Sequence, residues 1–344
     1  MSGVYVCGLG AVSPAGWDVA ALGKVLQSQL PVPRQPLARP DPAKPLQACP
    51  VPPPLTRPSF LGHPRLRRAS PITQYAAAAA LEALGKLAAN RPPGDRLGLV
   101  VCLQSGCVQY SARFFEETLR DPLTASPLVF PETVFAAPAS HLATLLGNVT
   151  LASTLVGDPA CFLQGVALAV DWLEEQRANA CLVIGAEESH WLRADALWHF
   201  QRSSVMSSGA GALCLSLEPG LSLGVELNAI TDAHTFSTDL NRTRAALAMR
   251  SQLPSGAPTE VLFDSQDDSP QLDAPERAAW GDWPGRRLSL KRILGEGLMA
   301  AAAWQCVAAC DEVARGAAPA ANVSLVGCNQ QAIGARFARS HSQP

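Results

Sequence analysis

Strand-like and helix-like residue patterns alternate along all 344 residues, and that alternation confines the chain to the α/β class. Short β-branched apolar runs predict strands over 4–12, 97–103, 180–188, 212–218, 223–230, 260–265, 323–329 and 332–338. Apolar residues at helical spacing predict helices over 18–29, 72–89, 109–119, 161–177, 240–252, 272–280 and 296–315. The pattern divides near residue 220, so two similar α/β halves are expected, 1–220 and 221–344. At about 100–200 residues per domain, the length accommodates both.

Charged residues make up only 16% of the chain and the net charge is −2, so neither disorder nor nucleic-acid binding is expected. No apolar run reaches the roughly 18 residues that span a bilayer. The N-terminus has no basic residue ahead of its apolar run and is broken by glycines, which argues against a signal peptide. Ten cysteines lie scattered without a CxxC pair, which fits free thiols in the cytoplasm and suggests no metal or other cofactor. Cys306 and Cys310 share a helix face among alanines and read as core.

Residues 31–58 hold 11 of the 29 prolines. Proline removes ladder donors, so this stretch is expected to be an extended surface excursion without secondary structure. The basic run "HPRLRRAS" (63–70) follows it and reads as a solvated loop or a patch for an acidic partner.

Two stretches carry candidate chemistry. "GLGAVSPAG" (8–16) follows a strand, but Ser13 stands where a dinucleotide fingerprint needs its third glycine. In "STLVGDPACFLQGVALAVDWLEEQ" (153–176), a β-branched run ends at Gly157-Asp158-Pro159 and a helix-period run begins at once. Cys161 therefore sits in a first helical turn, where the helix dipole favours a thiolate. It is either a nucleophile or a buried small hydrophobe, since unpaired cysteine is among the most buried residue types.

"GLGAVSPAG" resembles the opening strand and turn of the β-ketoacyl synthases, condensing enzymes of the thiolase fold. The resemblance continues in order through "ITQYAAAAALEALG" (72–85), "RLGLVVCLQSG" (96–106), "FPETVFAAPASHLATLLGNVT" (130–150), "ANACLVIGAEE" (178–188) and "SSGAGALCLSLE" (207–218). It implies a thiolase-like fold in which two similar halves form a layered αβαβα architecture. Family members use a cysteine at a helix start as acyl acceptor and two histidines to polarise the malonyl thioester and stabilise the enolate.

Matched residue by residue, this chain lacks all three. In the gapless register from "IGAEE" the nucleophile position is Pro159, and Cys161 lies two residues late. A two-residue deletion that moved Cys161 into place would rotate the helix by about 200° and turn its buried face outward. "EVLFDSQDDSP" (260–270) puts Ser265 in the first histidine position. "SLKRILGEGLMAAAA" (289–303) keeps the family's lysine as Lys291 and glycine as Gly295, but has Glu296 in place of the second histidine. The six histidines, at 63, 141, 190, 199, 234 and 341, fall outside these positions. The glycine-rich C-terminal turn is represented loosely by "VGCNQQAIG" (326–334).

Each lost acid–base or donor group removes roughly 10²–10⁴-fold in rate. An ionised Glu296 would also oppose an enolate developing beside it. The resemblance therefore implies a catalytically silent subunit of the chain-length-factor type, as in type II polyketide and aryl-polyene systems. Its implied partners are an active β-ketoacyl synthase paralogue, in a heterodimer, and an acyl carrier protein. The alternative is a working synthase or acyltransferase using Cys161, with His234 or His199 as base. The apolar segment 138–157 corresponds in the family to the strand at the dimer interface.

Overall fold

The computed structural model describes residues 3–39, 46–90 and 95–340. Its strands are β1 (Val4–Val12), β2 (Gln35–Leu37), β3 (Leu46–Cys49), β4 (Leu97–Leu103), β5 (Val149–Val156), β6 (Ala180–Glu187), β7 (Met206–Ser207), β8 (Gly209–Ser216), β9 (Val225–Ile230), β10 (His234–Thr235), β11 (Val261–Asp264), β12 (Arg286–Ser289), β13 (Ala320–Val326) and β14 (Gln331–Arg339). The helices are α1 (Val19–Ser28), α2 (Pro71–Asn90), α3 (Val108–Arg120), α4 (Ala137–Leu146), α5 (Cys161–Glu174), α6 (Trp191–Phe200), α7 (Asp239–Ser251), α8 (Pro270–Ala279), α9 (Leu290–Leu294) and α10 (Met299–Ala314).

The large sheet runs β12-β11-β13-β14-β9-β1-β8-β6-β4-β5, with β10 beside β14. Outward from its centre, each half uses its own first, fifth, fourth, second and third strand. The pairing repeats as well: β5, β4 and β6 are parallel, as are β12, β11 and β13, while β8 and β14 run antiparallel to their neighbours. The halves join where Val4–Val6 of β1 pairs antiparallel with Val225–Leu227 of β9.

Parallel strands require crossover connections: α5 carries the chain from β5 past β4 to β6, and α9 and α10 carry it from β12 past β11 to β13. Helix α10 packs on β8 and β6 of one half and on β13 and β14 of the other, so it lies between the two halves as the middle layer. Fourteen of its sixteen residues are buried. Alanine dominates there because the sheet comes close: a Cβ on Gly185 would sit 2.6 Å from the Met299 carbonyl oxygen. The Trp304 indole N–H donates to the carbonyls of Val12 and Ala210 at 3.0 and 2.9 Å, pinning α10 to β1 and β8. Helix α2 covers the outer face of β1, β8 and β6, and α7 and α8 cover the other outer face. The "GLG" of β1 lets α2 approach, since a Cβ on Gly8 or Gly10 would lie under 2 Å from the Ala83 or Ala79 carbonyl oxygen. The result is the expected five-layer αβαβα thiolase-like fold.

Four expectations about elements need correction. The proline-rich stretch is not devoid of structure: β2 pairs with β3, which pairs in parallel with β7, and Leu46, Ala48 and Cys49 are buried. Strands form where Gln35–Leu37 and Leu46–Cys49 leave enough backbone donors between the prolines; residues 40–45 lie outside the described residues. The stretch 188–210 also contains a helix, α6, started by His190, whose ring nitrogen accepts the Leu192 N–H. The helix expected over 296–315 starts three residues late: Gly295 at φ +85° ends the preceding short helix α9, and α10 begins at Met299. Strand β13 lies three residues earlier than expected, which leaves residues 327–330 as a turn.

Candidate functional site

Strand β5 ends at Val156, and a four-residue turn leads into α5. Pro159 is buried in that turn, offers no side-chain donor or nucleophile, and its carbonyl accepts the Phe162 N–H at 3.2 Å. Cys161 is the first residue of α5, as the sequence suggests, but it is only 6% exposed. Burial, reinforced by the neighbouring Asp158 charge, pushes its thiol up to about 11. Desolvation therefore overrides the helix dipole, and the thiol is a poor nucleophile near neutral pH.

Asp158 is 1% exposed, and backbone N–H groups surround its carboxylate. Ala160 donates to Oδ1 at 3.2 Å, and Gln330 and Gln331 donate to Oδ2 at 3.0 and 3.4 Å. Gln330 returns a bond, its side-chain oxygen accepting the Asp158 N–H at 3.2 Å. These bonds clasp the turn before α5 to the turn between β13 and β14. Gly327 permits the contact, because a Cβ there would lie 1.9 Å from Asp158 Oδ2.

Ser265 follows β11. Its N–H donates to Glu276 at 2.9 Å and its hydroxyl to the Ser324 carbonyl at 2.9 Å, so its side chain is committed to the β13 backbone. Glu276, buried beside Asp264, is pushed up to about 8 by desolvation and then by that second carboxylate.

Glu296 lies between α9 and α10, 3% exposed. Its Oε2 is 2.7 Å from Lys291 Nζ and its Oε1 accepts the Leu298 N–H at 2.6 Å. Its own N–H donates to Val205 at 2.7 Å, and its carbonyl accepts from Ser207 at 2.9 Å. Burial weakens the Lys291 ammonium, but Glu296 and Asp267 together outweigh it and hold its pKa above the ordinary lysine value. Gly295 has to be glycine, since a Cβ would lie 2.6 Å from the Val205 oxygen.

Ser265, Lys291 and Glu296 do converge, with Glu276, Gln201 and Cys328, around a cavity of about 10 Å³. That is room for at most one water. Pro159 and Cys161 do not line it; their turn connects to it through the Asp158 clasp and Cys328. Cys328 was not anticipated from the sequence, and neither was Asp158 as a clasp. Cys328 is the one thiol of the ten that is not fully buried, and burial and the charges of Asp158 and Glu296 raise it to about 11. The only hint in the sequence was its place in the loosely matching "VGCNQQAIG".

The histidines stay away from this cavity. His199 is 63% exposed on α6, 3.7 Å from Asp195, and His234 is half-buried on β10. His141 bonds Glu132 at 2.9 Å, His190 caps α6, and His63 is half-buried. His341 lies outside the described residues.

At the far end of the sheet, β5 pairs with β4 on one side only, and Val156 is 52% exposed. Among the described residues, no helix is long and apolar enough to cross a membrane.

No protein-family profile matches the chain, and no curated protein matches it. Solved structures do. A β-ketoacyl synthase from Burkholderia phymatum superposes with a TM-score of 0.82 at 15% identity, covering 99% of this chain and 100% of that one. The ishigamide ketosynthase/chain length factor gives 0.79 at 17% identity, covering 98% and 99%. The ketosynthase ApeO in complex with its chain length factor ApeC, from Xenorhabdus doucetiae, gives 0.78 at 13% identity, covering 98% of each chain. The chain thus has the thiolase-like fold of ketosynthases and chain length factors over its whole length.

Proposed function

We propose that this chain is a catalytically silent, chain-length-factor-type subunit. It pairs with an active β-ketoacyl synthase in the cytoplasm and acts on chains carried by an acyl carrier protein, in fatty-acid, polyketide or aryl-polyene elongation. On this reading the two topological repeats are the units 1–220 and 221–344.

The observation that carries the reading is the Lys291–Glu296 ion pair beside a 10 Å³ cavity, at the position where the family holds a histidine. A carboxylate there repels an enolate; a second cavity, of about 120 Å³, also lies against Lys291 and Glu296. Pro159 and the hydrogen-bonded Ser265 remove the acyl acceptor and the other imidazole. Against a working enzyme that uses Cys161 stand its raised pKa and the distance of His199 and His234 from the cavity lining. The open β5 edge supports pairing, because an unpaired edge with exposed apolar residues calls for a partner.

Co-expression with a Cys-His-His synthase, followed by size-exclusion chromatography, tests the proposal. A defined heterodimer that survives at micromolar concentration is the expected result, since obligate interfaces usually bury more than about 2,000 Å². A stable, soluble monomer that ignores the synthase overturns it.

A further inference from the structure

We propose that the proline-rich face beside α1 docks on an anionic bilayer: Leu55 and Leu30 enter the headgroup boundary while Lys24, Arg34 and Arg57 hold lipid phosphates around them. This goes beyond the silent-subunit reading and does not depend on it.

The prolines, α1 and α2 border an open depression of about 1030 Å³ whose wall is almost entirely apolar. The Trp17 indole N–H donates to the Pro52 carbonyl at 2.7 Å, and its ring meets Tyr75 of α2 edge-on at 5.7 Å, so the proline segment is tied down at its base. Pro52, Pro53 and Pro54 then stiffen the backbone that presents the next residue, Leu55. Leu55 is fully exposed, Leu30 is 69% exposed, and both line the depression. An isolated exposed leucine is ordinary. Two of them on an apolar depression of this size form a patch that marks an interaction surface.

Charge indicates what covers it. Residues 19–39 and 46–70 hold seven of the 27 lysines and arginines and none of the 29 acidic residues, in a chain whose net charge is −2. Lys24 lines the depression, Arg34 follows Pro33, and Arg57 lies between Thr56 and Pro58 of the wall. All three are exposed, and none forms an ion pair among the described residues. The acid in the wall, Asp18, is occupied in capping α1, where it accepts the Ala21 N–H at 2.6 Å. An apolar protrusion inside an unpaired basic rim combines the two signals that together hold a protein on anionic lipid. An acidic protein surface matches the charge but not the apolar depression, which acyl chains fill.

Flotation with vesicles of phosphatidylcholine containing roughly one-third phosphatidylglycerol tests this, on the native chain or on its complex with a synthase. The protein should float with these vesicles, fail to float with pure phosphatidylcholine, and detach as salt rises. Arg57→Glu and Lys24→Glu should each cut partitioning about fivefold or more, the worth of one cation beside an anionic surface. Leu55→Ser should cut it about tenfold or more, the loss of one inserted side chain. Melting temperatures should not move, because all three side chains are exposed. Absence of flotation overturns the inference, as does flotation that Leu55→Ser and Arg57→Glu leave intact. Variants that lose an acidic acyl carrier protein but keep the vesicles also overturn it, by assigning the face to a protein.

Discussion

Lys291 Nζ lies 2.7 Å from Glu296 Oε2, with both side chains less than a tenth exposed. They stand five positions apart, and the backbone between them leaves the helix at Gly295, so this is a contact of tertiary packing and not a helical i,i+4 pair. Removing one partner leaves an uncompensated buried charge, which typically costs about 3–5 kcal/mol. Glu296→Ala should therefore destabilise the fold strongly. A well-packed Lys291→Met/Glu296→Leu double variant should recover most of the loss. Urea unfolding of the two single variants and the double variant measures the coupling; additive losses would show that the pair does not act as a unit.

Restoring imidazoles alone should not restore condensation. Ser265→His/Glu296→His still lacks an acyl acceptor at Pro159, which has no side-chain nucleophile. A malonyl-decarboxylation assay on that double variant should remain at background, and measurable turnover would place the nucleophile elsewhere.

Thiol reactivity should follow exposure. Cys328, the least buried of the ten, should alkylate first with iodoacetamide, and Cys161 should gain no stable mass increment from acyl-CoA or acyl carrier protein. Intact-protein and peptide mass spectrometry check both, and an acylated Cys161 would revive the enzyme reading.

Stability should fall as pH rises above the ordinary carboxylate range. Burial lifts Glu82 and Glu188 to about 7 and Glu276 to about 8, from a usual 4.5. The folded state binds these protons more tightly than the unfolded chain does. Their contribution is fully present below pH 4.5 and is lost as pH rises through 7 and 8. Calorimetry across that window should show a falling melting temperature. Glu188→Gln should flatten the slope, and an unaltered slope would count against its assignment.

The open edge of β5 should control solubility and pairing together. Lysine at Ala152 and Val156, both exposed on that strand, blunts an apolar edge and disfavours strand association. The double lysine variant should be more soluble when expressed alone and should co-elute poorly with a synthase. Unimpaired pairing would move the interface elsewhere.

Most of the large-sheet strands and the central helices were legible because periodicity is local: alternating and helical runs report which face is buried before any contact forms. The resemblance of "GLGAVSPAG" and the segments after it extended that reading to the layered architecture. The short strands β2 and β3 were hidden because proline content speaks against strands, while the partner that stabilises them, Met206–Ser207, lies more than 150 residues away. Helix α6 was missed because its apolar spacing is weak, and its cap is a histidine ring in place of the usual Ser, Thr, Asn or Asp.

The site divides in the same way. Sequence register assigns Pro159, Ser265 and Glu296 to the family's catalytic positions, and the proposed function takes up that assignment. Only the tertiary structure decided what those residues do instead. Glu296 closes on Lys291 because α9 ends in a glycine turn, and Ser265 turns to β13 because β11 lies beside it. Asp158 finds its N–H partners across 172 residues because β14 returns to the central sheet. Desolvation also belongs to packing: the helix start predicted a lowered Cys161 pKa, and burial in the assembled fold reversed its sign.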